Sequence, residues 1–378
     1  MLRAPLWTWV KVGLVLVALD VLVLRGGPFW RWDLRFYGGL GSVGWVNMHS
    51  VVRTLETYAP DPRTVIVTGS SVVFAGVNDE LVNRQFKEAH VQAQVVSLSV
   101  FGSTATDAAL LAAQGLKLQP WLVIYGAAAR DFKKQGPLDT PVTRVLYDAT
   151  LELPALPRRD GEARLDARVR QYWRLYRYRY FVRTGLLNLG EGFLRWLPGG
   201  SAVLAAPAVA PLPPEGRRFF LGQRVDANGF AAWQRWRASQ RFEDYMAWLR
   251  ASGGHVLDEY RAQTLASTGP ENNPHLTSLQ WMLGELHTRR VQTVLLYFPE
   301  NPAFHAPEAA PYFDARLSQA WAEQFAREAD AIGARFIDLR DFLAAEDFYD
   351  LIHPNLEGMR KLSGRLAEIV AEERQRTP

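Results

Sequence analysis

Short apolar runs alternate with longer helical patterns along much of this chain, and this alternation restricts the possible folds more than any other feature of the sequence. TVIVT at 64–68 and WLVIYG at 121–126 lack a regular polar face. Strands of this kind are typical of a parallel sheet that helices cover on both faces. Similar runs lie at 94–99, 291–298 and 334–339, and helical patterns lie at 78–90, 104–118, 276–289, 311–332 and 355–374. We therefore predict an α/β fold with a doubly wound, five-stranded parallel sheet.

A long stretch without this alternation separates the third and fourth predicted strands. We expect residues 133–275 to be a large, mostly helical insertion, with an amphipathic helix at 231–250 and a proline- and alanine-rich linker at 206–216. Arginines are interleaved with aromatic residues over 158–183. Such a segment suits a solvated helix, a helix on anionic lipid or a surface for a polyanion, and the residues alone leave these interpretations open.

The N-terminus is nearly continuous in apolar residues over 5–24, where Lys11 and Asp20 are the charged exceptions. About 20 such residues cross a bilayer as a helix. No obvious cleavage site follows, so we predict an uncleaved transmembrane signal anchor at 1–26; a cleaved signal peptide and a helix buried in the fold are the alternatives. Basic residues on both sides leave its orientation open. The chain thus divides into this anchor, a connector at 27–60, a first part of the α/β domain at 61–132, the insertion at 133–275 and a second part at 276–378.

The composition excludes several kinds of chemistry. The chain has no cysteine, which excludes disulfides, thiolate metal sites and a cysteine nucleophile. His275, His287 and His305 lack the spacing of metal ligands, and we expect them at the surface or at helix caps. A net charge of +4 over 378 residues is too small to indicate nucleic acid. We therefore expect no metal, no cofactor and no nucleic-acid partner.

Two short motifs lie where the predicted fold would bring polar side chains to one edge of the sheet. Gly69-Ser70-Ser71 follows the first strand, and the carboxyl ends of parallel strands are where such sheets bind ligands. Asp350 precedes His353 by three residues, just before Pro354-Asn355 begins the final helix. An aspartate at this spacing can accept from one imidazole nitrogen, which leaves the other nitrogen to take a proton from a serine. Either motif alone is also typical of an ordinary turn or capped loop.

Together, the two motifs resemble those of the SGNH (GDSL) hydrolase superfamily. The resemblance covers about 61–132 and 276–378, and it implies a flavodoxin-like α/β/α domain. It implies Ser71 as the nucleophile, with Ser70 in a local hydrogen bond or at the sheet edge. It also implies His353 as the general base, Asp350 as the carboxylate that orients it, and an oxyanion hole formed by the N–H groups of Ser71 and Gly102.

The third block of that family departs from its usual pattern in this chain. The family's asparagine, which donates to the oxyanion, is absent from Gly126-Ala-Ala-Ala-Arg130-Asp131-Phe132. One such donor lowers the barrier by roughly 2.7–4 kcal/mol. Either Arg130 or a backbone N–H replaces it, or turnover is weak. Asp131 either anchors Arg130 or caps a helix.

The anchor, the insertion and this departure are similar to one branch of the superfamily. That branch contains extracytoplasmic proteins that modify envelope polysaccharides, such as alginate acetylation proteins and teichoic acid D-alanylation proteins of the DltD type. The resemblance implies a periplasmic or extracellular body, a membrane-bound O-acyltransferase as partner and a glycan as acyl acceptor. We therefore expect a membrane-anchored serine O-acyltransferase or esterase that forms an acyl-Ser71 intermediate. The alternative is a non-catalytic binding or scaffold subunit of an O-acyltransferase complex, which the missing asparagine favours.

Overall fold

The computed structural model of this chain describes residues 6–25, 43–132, 140–146, 161–179, 181–183, 247, 269–302 and 315–376. These residues fall into two compact units. The first unit contains the described residues within 1–57 and 158–232, and the second contains those within 58–146 and 233–378. The predicted linker at 206–216, nearly all of the predicted helix at 231–250, and His305 lie outside the described residues.

The second unit is built on a five-stranded parallel sheet with the strand order β2-β1-β3-β4-β5. Its strands are β1 (Thr64–Gly69), β2 (Gln94–Ser97), β3 (Leu122–Ala127), β4 (Gln292–Tyr297) and β5 (Arg335–Asp338). Each strand begins and ends within two residues of the apolar run that predicted it, so the predicted sheet is confirmed. β2 lies on one side of β1 and β3 to β5 lie on the other, so the order in which strands are added reverses at β1. The carboxyl ends of β1 and β3 form the usual ligand-binding crevice of such folds.

Helices flank the strands close to the predicted positions. The described helices are α1 (Leu6–Ala18), α2 (Val43–Thr57), α3 (Ser71–Gly76), α4 (Asp79–Glu88), α5 (Ala105–Gly115), α6 (Pro141–Leu146), α7 (Gly161–Tyr172), α8 (Arg174–Arg177), α9 (Pro274–Thr288), α10 (Ala315–Ala331) and α11 (Leu356–Arg376). A π-helical segment, Leu19–Arg25, continues α1, and 3-10 turns lie at Leu116–Leu118, Ala129–Phe132 and Ala345–Asp347. Side-chain caps explain where two helices begin: Asn78 accepts the N–H of Leu81 in α4, and Asn273 accepts that of His275 in α9.

The central strands of the sheet, β1, β3 and β4, are buried beneath helices on both faces. On one face, side chains of β1, α4 and α11 form part of an apolar cluster that includes Val65, Val67, Phe86 and Leu366. On the other face, the hydroxyl of Thr68 donates to the carbonyl of Ala108 in α5 at 3.3 Å. Tyr297 of β4 meets Phe325 of α10 edge-on, with ring centroids 5.3 Å apart. Because successive strand residues point to opposite faces, strands covered on both sides are apolar throughout.

In the first unit, α1 and its π-helical continuation carry apolar side chains that solvent reaches. Trp7, Leu14 and Leu22 are 66%, 64% and 68% exposed. Across the described part of the chain, no helix combines the length and the apolar character that a membrane crossing requires.

Asp20, the acidic residue within the predicted anchor, is buried and paired inside this first unit. Its carboxylate accepts from Arg25 Nε at 2.8 Å and from the N–H of Leu175 at 2.5 Å. Arg25 also donates to the carbonyl oxygen of Tyr172 at 2.7 Å. A buried carboxylate is costly unless it has hydrogen-bond partners of this kind. These hydrogen bonds join the N-terminal helical segment to the arginine- and aromatic-rich segment of 158–183.

Candidate active site

Ser71 lies at the junction between β1 and α3. β1 ends at Gly69, and Ser70 is the N-cap of α3, with its Oγ accepting the N–H of Val72 at 3.4 Å. Ser70 thus makes the local hydrogen bond that the sequence suggested. Ser71 is the first residue of α3, and a first-turn N–H has no acceptor within its own helix. This N–H is therefore available to a ligand oxygen, and the side chain of Ser71 stands at the carboxyl edge of the sheet.

Two glycines allow α3 to lie close to the strand ends. Gly69 of β1 is paired in register with Gly126 of β3. A Cβ at Gly69 would lie 2.6 Å from the carbonyl oxygen of Gly126, and a Cβ at Gly126 would lie 2.5 Å from atoms of Val73 and Phe298. No side chain larger than hydrogen fits at either position without a shift of its neighbours. Gly69 of the Gly-Ser-Ser motif and Gly126 of the third block therefore set the position of α3, and with it the position of Ser71.

Asp350 is held by a tight set of donors just before α11. Its Oδ1 accepts the N–H groups of Ile352 and His353, at 2.8 and 2.7 Å, and its Oδ2 lies 2.7 Å from His353 Nδ1. Burial would raise the pKa of Asp350, but the attraction of His353 and these hydrogen bonds outweigh it, so the pKa lies below the ordinary value. The carboxylate is therefore ionised at neutral pH.

The second imidazole nitrogen of His353 faces Ser71. His353 Nε2 lies 3.0 Å from Ser71 Oγ, although 282 positions separate the two residues in the sequence. Because the Asp350 carboxylate accepts at Nδ1, the neutral ring carries its proton there, and Nε2 accepts from the Ser71 hydroxyl. The structure thus brings together the serine, histidine and aspartate that the motifs predicted. All three residues are buried, which strengthens electrostatic interactions among them.

Two aromatic rings that the sequence did not suggest lie parallel to the His353 imidazole. The Phe101 ring is 5.5 Å from it at an interplanar angle of 19°, and the Tyr349 ring is 5.6 Å away at 11°. Stacked rings restrict the rotation of the imidazole. In the sequence, both residues adjoin predicted site residues, since Tyr349 precedes Asp350 and Phe101 precedes Gly102. That adjacency does not show where either ring lies.

Two asparagines fix the loop that carries Asp350 and His353. The buried side chain of Asn301, just beyond β4, donates to the carbonyl oxygen of Asp350 at 3.2 Å. Asn355 accepts the N–H of Gly358 at 3.0 Å, and so caps α11 as its position in the motif indicates. The backbone N–H of Tyr349 also donates to the carbonyl oxygen of His353 at 3.1 Å. The loop is therefore closed on itself and tied to the neighbouring strand end.

Gly102 lies in a loop that is fastened to the end of β1. Its φ of +76° is in the left-handed region that glycine adopts most readily. The hydroxyl of the next residue, Ser103, lies 3.3 Å from the carbonyl oxygen of Gly69 and 2.7 Å from that of Val100. Thr104 then caps α5 in a reciprocal arrangement with Asp107. Gly102 is thus placed between Phe101, which stacks on His353, and Ser103, which contacts β1; its role as an oxyanion donor stays a prediction.

The segment after β3 carries two charged residues, Arg130 and Asp131, whose contacts differ. Asp131 Oδ2 accepts the N–H of Ala128 at 3.1 Å and so caps the 3-10 turn. This contact corresponds to the predicted capping role of Asp131 rather than to the anchoring of Arg130. Arg130 is half-buried, and its Nη1 is inaccessible to solvent and has no hydrogen-bond partner within the described residues. Its role at the oxyanion stays a prediction.

The histidines outside the Asp-x-x-His motif differ in how deeply they are buried. His275 was expected at the surface or as a cap, but it is fully buried in the first turn of α9, with Nδ1 2.8 Å from the hydroxyl of Thr106. Its burial follows from the close packing of α9 on α5, which a single histidine in the sequence does not reveal. His287 is exposed near the end of α9, as expected. Among the described residues, no group of three or more potential ligands is arranged to hold a metal ion.

No protein-family model matches this chain, and no curated protein matches its sequence. The support for the chemistry of the site is therefore its own geometry and its position on the sheet.

Proposed function

We propose that this protein is a serine acyl-ester enzyme of the SGNH hydrolase type, either an O-acyltransferase or an esterase. The observation that carries the proposal is the chain of hydrogen bonds from Asp350 through His353 to Ser71, at 2.7 and 3.0 Å. A serine with a base within hydrogen-bond reach, which a third group orients, is the arrangement of an activated nucleophile. The strand order is that of flavodoxin-like sheets, and the serine lies at the switch point where such sheets bind ligands.

In the first half of the reaction, Ser71 Oγ attacks the acyl carbonyl carbon while its proton moves to His353 Nε2. The negative charge passes to the carbonyl oxygen, and the N–H groups of Ser71 and Gly102 stabilise it. When the tetrahedral intermediate collapses, the bond to the leaving oxygen breaks and that oxygen takes the proton from His353. The product is an acyl-Ser71 ester and a free alcohol.

In the second half, the acyl-Ser71 ester reacts with a second hydroxyl. His353 takes the proton of a glycan hydroxyl or of water as it attacks the acyl carbon, and Ser71 regains its proton as it leaves. A glycan acceptor gives acyl transfer, whereas water gives hydrolysis. Asp350 stabilises the positively charged imidazole in both halves and fixes its tautomer.

The proposal also concerns where the protein works and with what partner. The apolar residues over 5–24 support an N-terminal membrane anchor, and the exposed apolar side chains of α1 are compatible with a lipid environment. We propose an extracytoplasmic body that acts on acyl groups of an envelope polysaccharide beside a membrane-bound O-acyltransferase. The support for this second part is the resemblance in architecture described above.

A non-catalytic binding subunit is the second candidate. The absence of an asparagine from the segment after β3 favours it, because an oxyanion site with fewer donors stabilises the transition state less. A fluorophosphonate probe separates the two candidates. We expect the wild-type protein and Ser70→Ala to form a covalent adduct, and Ser71→Ala to form none, as measured by intact-protein mass spectrometry. A folded wild-type protein without an adduct would support the binding subunit.

A further inference from the structure

Arg130 occupies the carboxyl edge of the sheet, close to the strand pair that carries Ser71. It lies in the 3-10 turn Ala129–Phe132, which follows β3 directly. The last residues of β3 include Gly126, which is paired with Gly69, and Gly69 precedes Ser71 by two positions. Arg130 therefore belongs to the edge where a ligand of Ser71 would bind.

The guanidinium of Arg130 differs in its ion pairing from those of the other half-buried arginines of this unit. Those arginines are paired with carboxylates at 2.7–3.0 Å: Arg335 with Glu372 and Glu373, Arg340 with Asp338, and Arg365 with Glu368 and Glu372. Arg130 Nη1, by contrast, is buried and lacks a hydrogen-bond partner within the described part of the chain. Its sequence neighbour Asp131 directs a carboxylate oxygen to the N–H of Ala128.

The Asp350 carboxylate of the candidate site is committed to its own loop. Both oxygens of Asp350 accept from the Ile352–His353 segment. Because the Arg130 side chain as a whole is only half-buried, a bound anion can contact its guanidinium from the solvent side and offer an acceptor that the described residues do not provide. Arginine presents several N–H groups in a planar fork, which matches the two oxygens of a carboxylate or phosphate.

We propose that Arg130 binds an anionic group of the substrate, a carboxylate or phosphate next to the reacting ester, so that the site selects anionic substrates. The inference rests on the proposed acyl-ester function and adds the chemical class of the substrate. It assigns Arg130 to substrate binding rather than to the oxyanion. An oxyanion donor acts on every ester alike, whereas a substrate-anion ligand acts only on esters that carry the anion.

Three esters separate these roles: 4-nitrophenyl acetate is neutral, mono-4-nitrophenyl succinate carries a carboxylate on the acyl side, and 4-acetoxybenzoate carries one on the alcohol side. The full-length protein is compared with Arg130→Gln, and each variant rate is divided by the wild-type rate on the same ester. We expect KM for at least one anionic ester to rise about 10- to 100-fold, the usual size of a lost charged hydrogen bond. The loss of kcat/KM on the neutral ester should be at least about tenfold smaller, because that ester carries no anion for Arg130 to bind.

The control variant is Arg63→Gln, which removes an exposed arginine paired with Asp61 before the amino end of β1. It should leave kinetics on all three esters unchanged. The anionic ester that responds identifies the side of the ester that carries the charge. Equal losses of kcat on all three esters would make Arg130 an oxyanion donor, and unchanged kinetics would remove it from the site; either result overturns the proposal.

A binding measurement tests Arg130 even if the protein hydrolyses none of these esters. Calorimetric titration of the full-length Ser71→Ala variant with succinate and with inorganic phosphate should detect binding of at least one. The Ser71→Ala, Arg130→Gln double variant should bind that anion at least about tenfold more weakly. Absence of ester hydrolysis with this binding intact would contradict the proposed enzyme function alone. Absence of binding by Ser71→Ala, or equal binding by both variants, would contradict the anion site.

Discussion

At the scale of single residues, the candidate site depends on which hydrogen bonds each of the two carboxylate oxygens of Asp350 accepts. Asp350 Oδ1 is occupied by two backbone N–H groups, and Oδ2 is reserved for the imidazole of His353. The first oxygen shapes the loop and the second orients the base. A substitution that preserves the shape of the side chain can therefore separate the structural role from the catalytic role.

We predict that Asp350→Asn lowers kcat on 4-nitrophenyl acetate at least about a hundredfold. The amide oxygen can still accept the loop N–H groups, but an amide nitrogen facing Nδ1 favours the wrong imidazole tautomer. The same change in serine proteases lowers turnover about 10⁴-fold. If Asp350 only closed the loop, the change would cost about 1 kcal/mol of stability and leave kcat nearly unchanged. Melting temperature is recorded alongside, and Asp338→Asn, which alters a carboxylate paired with Arg340, is the control.

A second prediction concerns the coupling between Asp350 and His353. We expect His353→Ala to lower kcat at least as much as Asp350→Asn does. The double variant should be no slower than His353→Ala, because residues that act through one another are strongly non-additive. Esterase kinetics of the two single variants and the double variant measure this coupling. Additive losses in the double variant would mean that the two side chains act independently.

At the scale of elements, the position of α3 depends on two glycines, Gly69 of β1 and Gly126 of β3, whose lack of a side chain lets the helix lie close to the strand ends. Gly126 faces Phe298 and Val73 at distances that exclude a Cβ. Both neighbours belong to the apolar cluster between the sheet and the helices of that face. The junction between β1 and α3 thus depends on close packing as well as on the N-cap at Ser70.

We predict that Gly126→Ala destabilises the protein by about 1–3 kcal/mol, the usual cost of overpacking a core. The added methyl group would push α3 away from the strand ends, so esterase activity should fall as well. Gly284→Ala is the matched control, because Gly284 is exposed within α9 and a Cβ there meets no atom within 4 Å. That variant should be more stable by about 0.5–1 kcal/mol. Urea unfolding measures both; a neutral or stabilising Gly126→Ala would mean that α3 adjusts without cost.

Asp107, a buried carboxyl group in the first turn of α5, leads us to predict a specific dependence of folding stability on pH. Asp107 accepts from the N–H and hydroxyl of Thr104 and from the hydroxyl of Thr140, yet burial raises its pKa to about 6. Between the ordinary pKa of about 3.9 and this value, the unfolded chain has released the proton and the folded chain still holds it. Folding stability from this group therefore falls as pH rises from about 4 to 6.

We expect the wild-type protein to lose about 2–3 kcal/mol across this interval relative to Asp107→Asn, which has no proton to release. Urea unfolding of both proteins at pH 4, 5, 6 and 7 measures the difference. Asp350 contributes in the opposite direction, because its lowered pKa stabilises the fold above its ordinary pKa. Comparison with Asp107→Asn at each pH removes that contribution. A wild-type-to-variant difference that stays constant over pH 4–7 would contradict the prediction.

At the scale of the whole molecule, the arginine- and aromatic-rich segment is a second candidate surface for the membrane. Tyr172 and Trp173 are 71% and 36% exposed in the first unit. We predict that a chain without residues 1–26 still binds vesicles of anionic lipid at low salt. The binding should weaken as salt rises to 0.15 M, where charges are screened beyond about 8 Å. Vesicle sedimentation measures it, with zwitterionic vesicles as the control and circular dichroism as the check on folding. If the truncated chain is folded but does not bind anionic vesicles, the segment is a solvated surface rather than a membrane surface.

The sequence by itself determined the elements of the sheet domain and the motifs at its edge. The three central strands, β1, β3 and β4, were visible as apolar runs because a strand buried on both faces has no polar side. The helix starts were visible where a capping residue such as Asn78 precedes them, since a cap acts over three residues. These signals are local, so they need no knowledge of the rest of the fold.

Only the tertiary structure decided which distant residues meet and how their atoms are used. Ser71 and His353 come within 3.0 Å because five strands assemble in one order and bring two remote loops to the same edge. The stacking of Phe101 on His353 and the burial of His275 likewise depend on packing between segments far apart in the chain. Such contacts leave no periodic trace in the sequence, because a side chain's partner depends on the packing of whole helices and strands rather than on its neighbours.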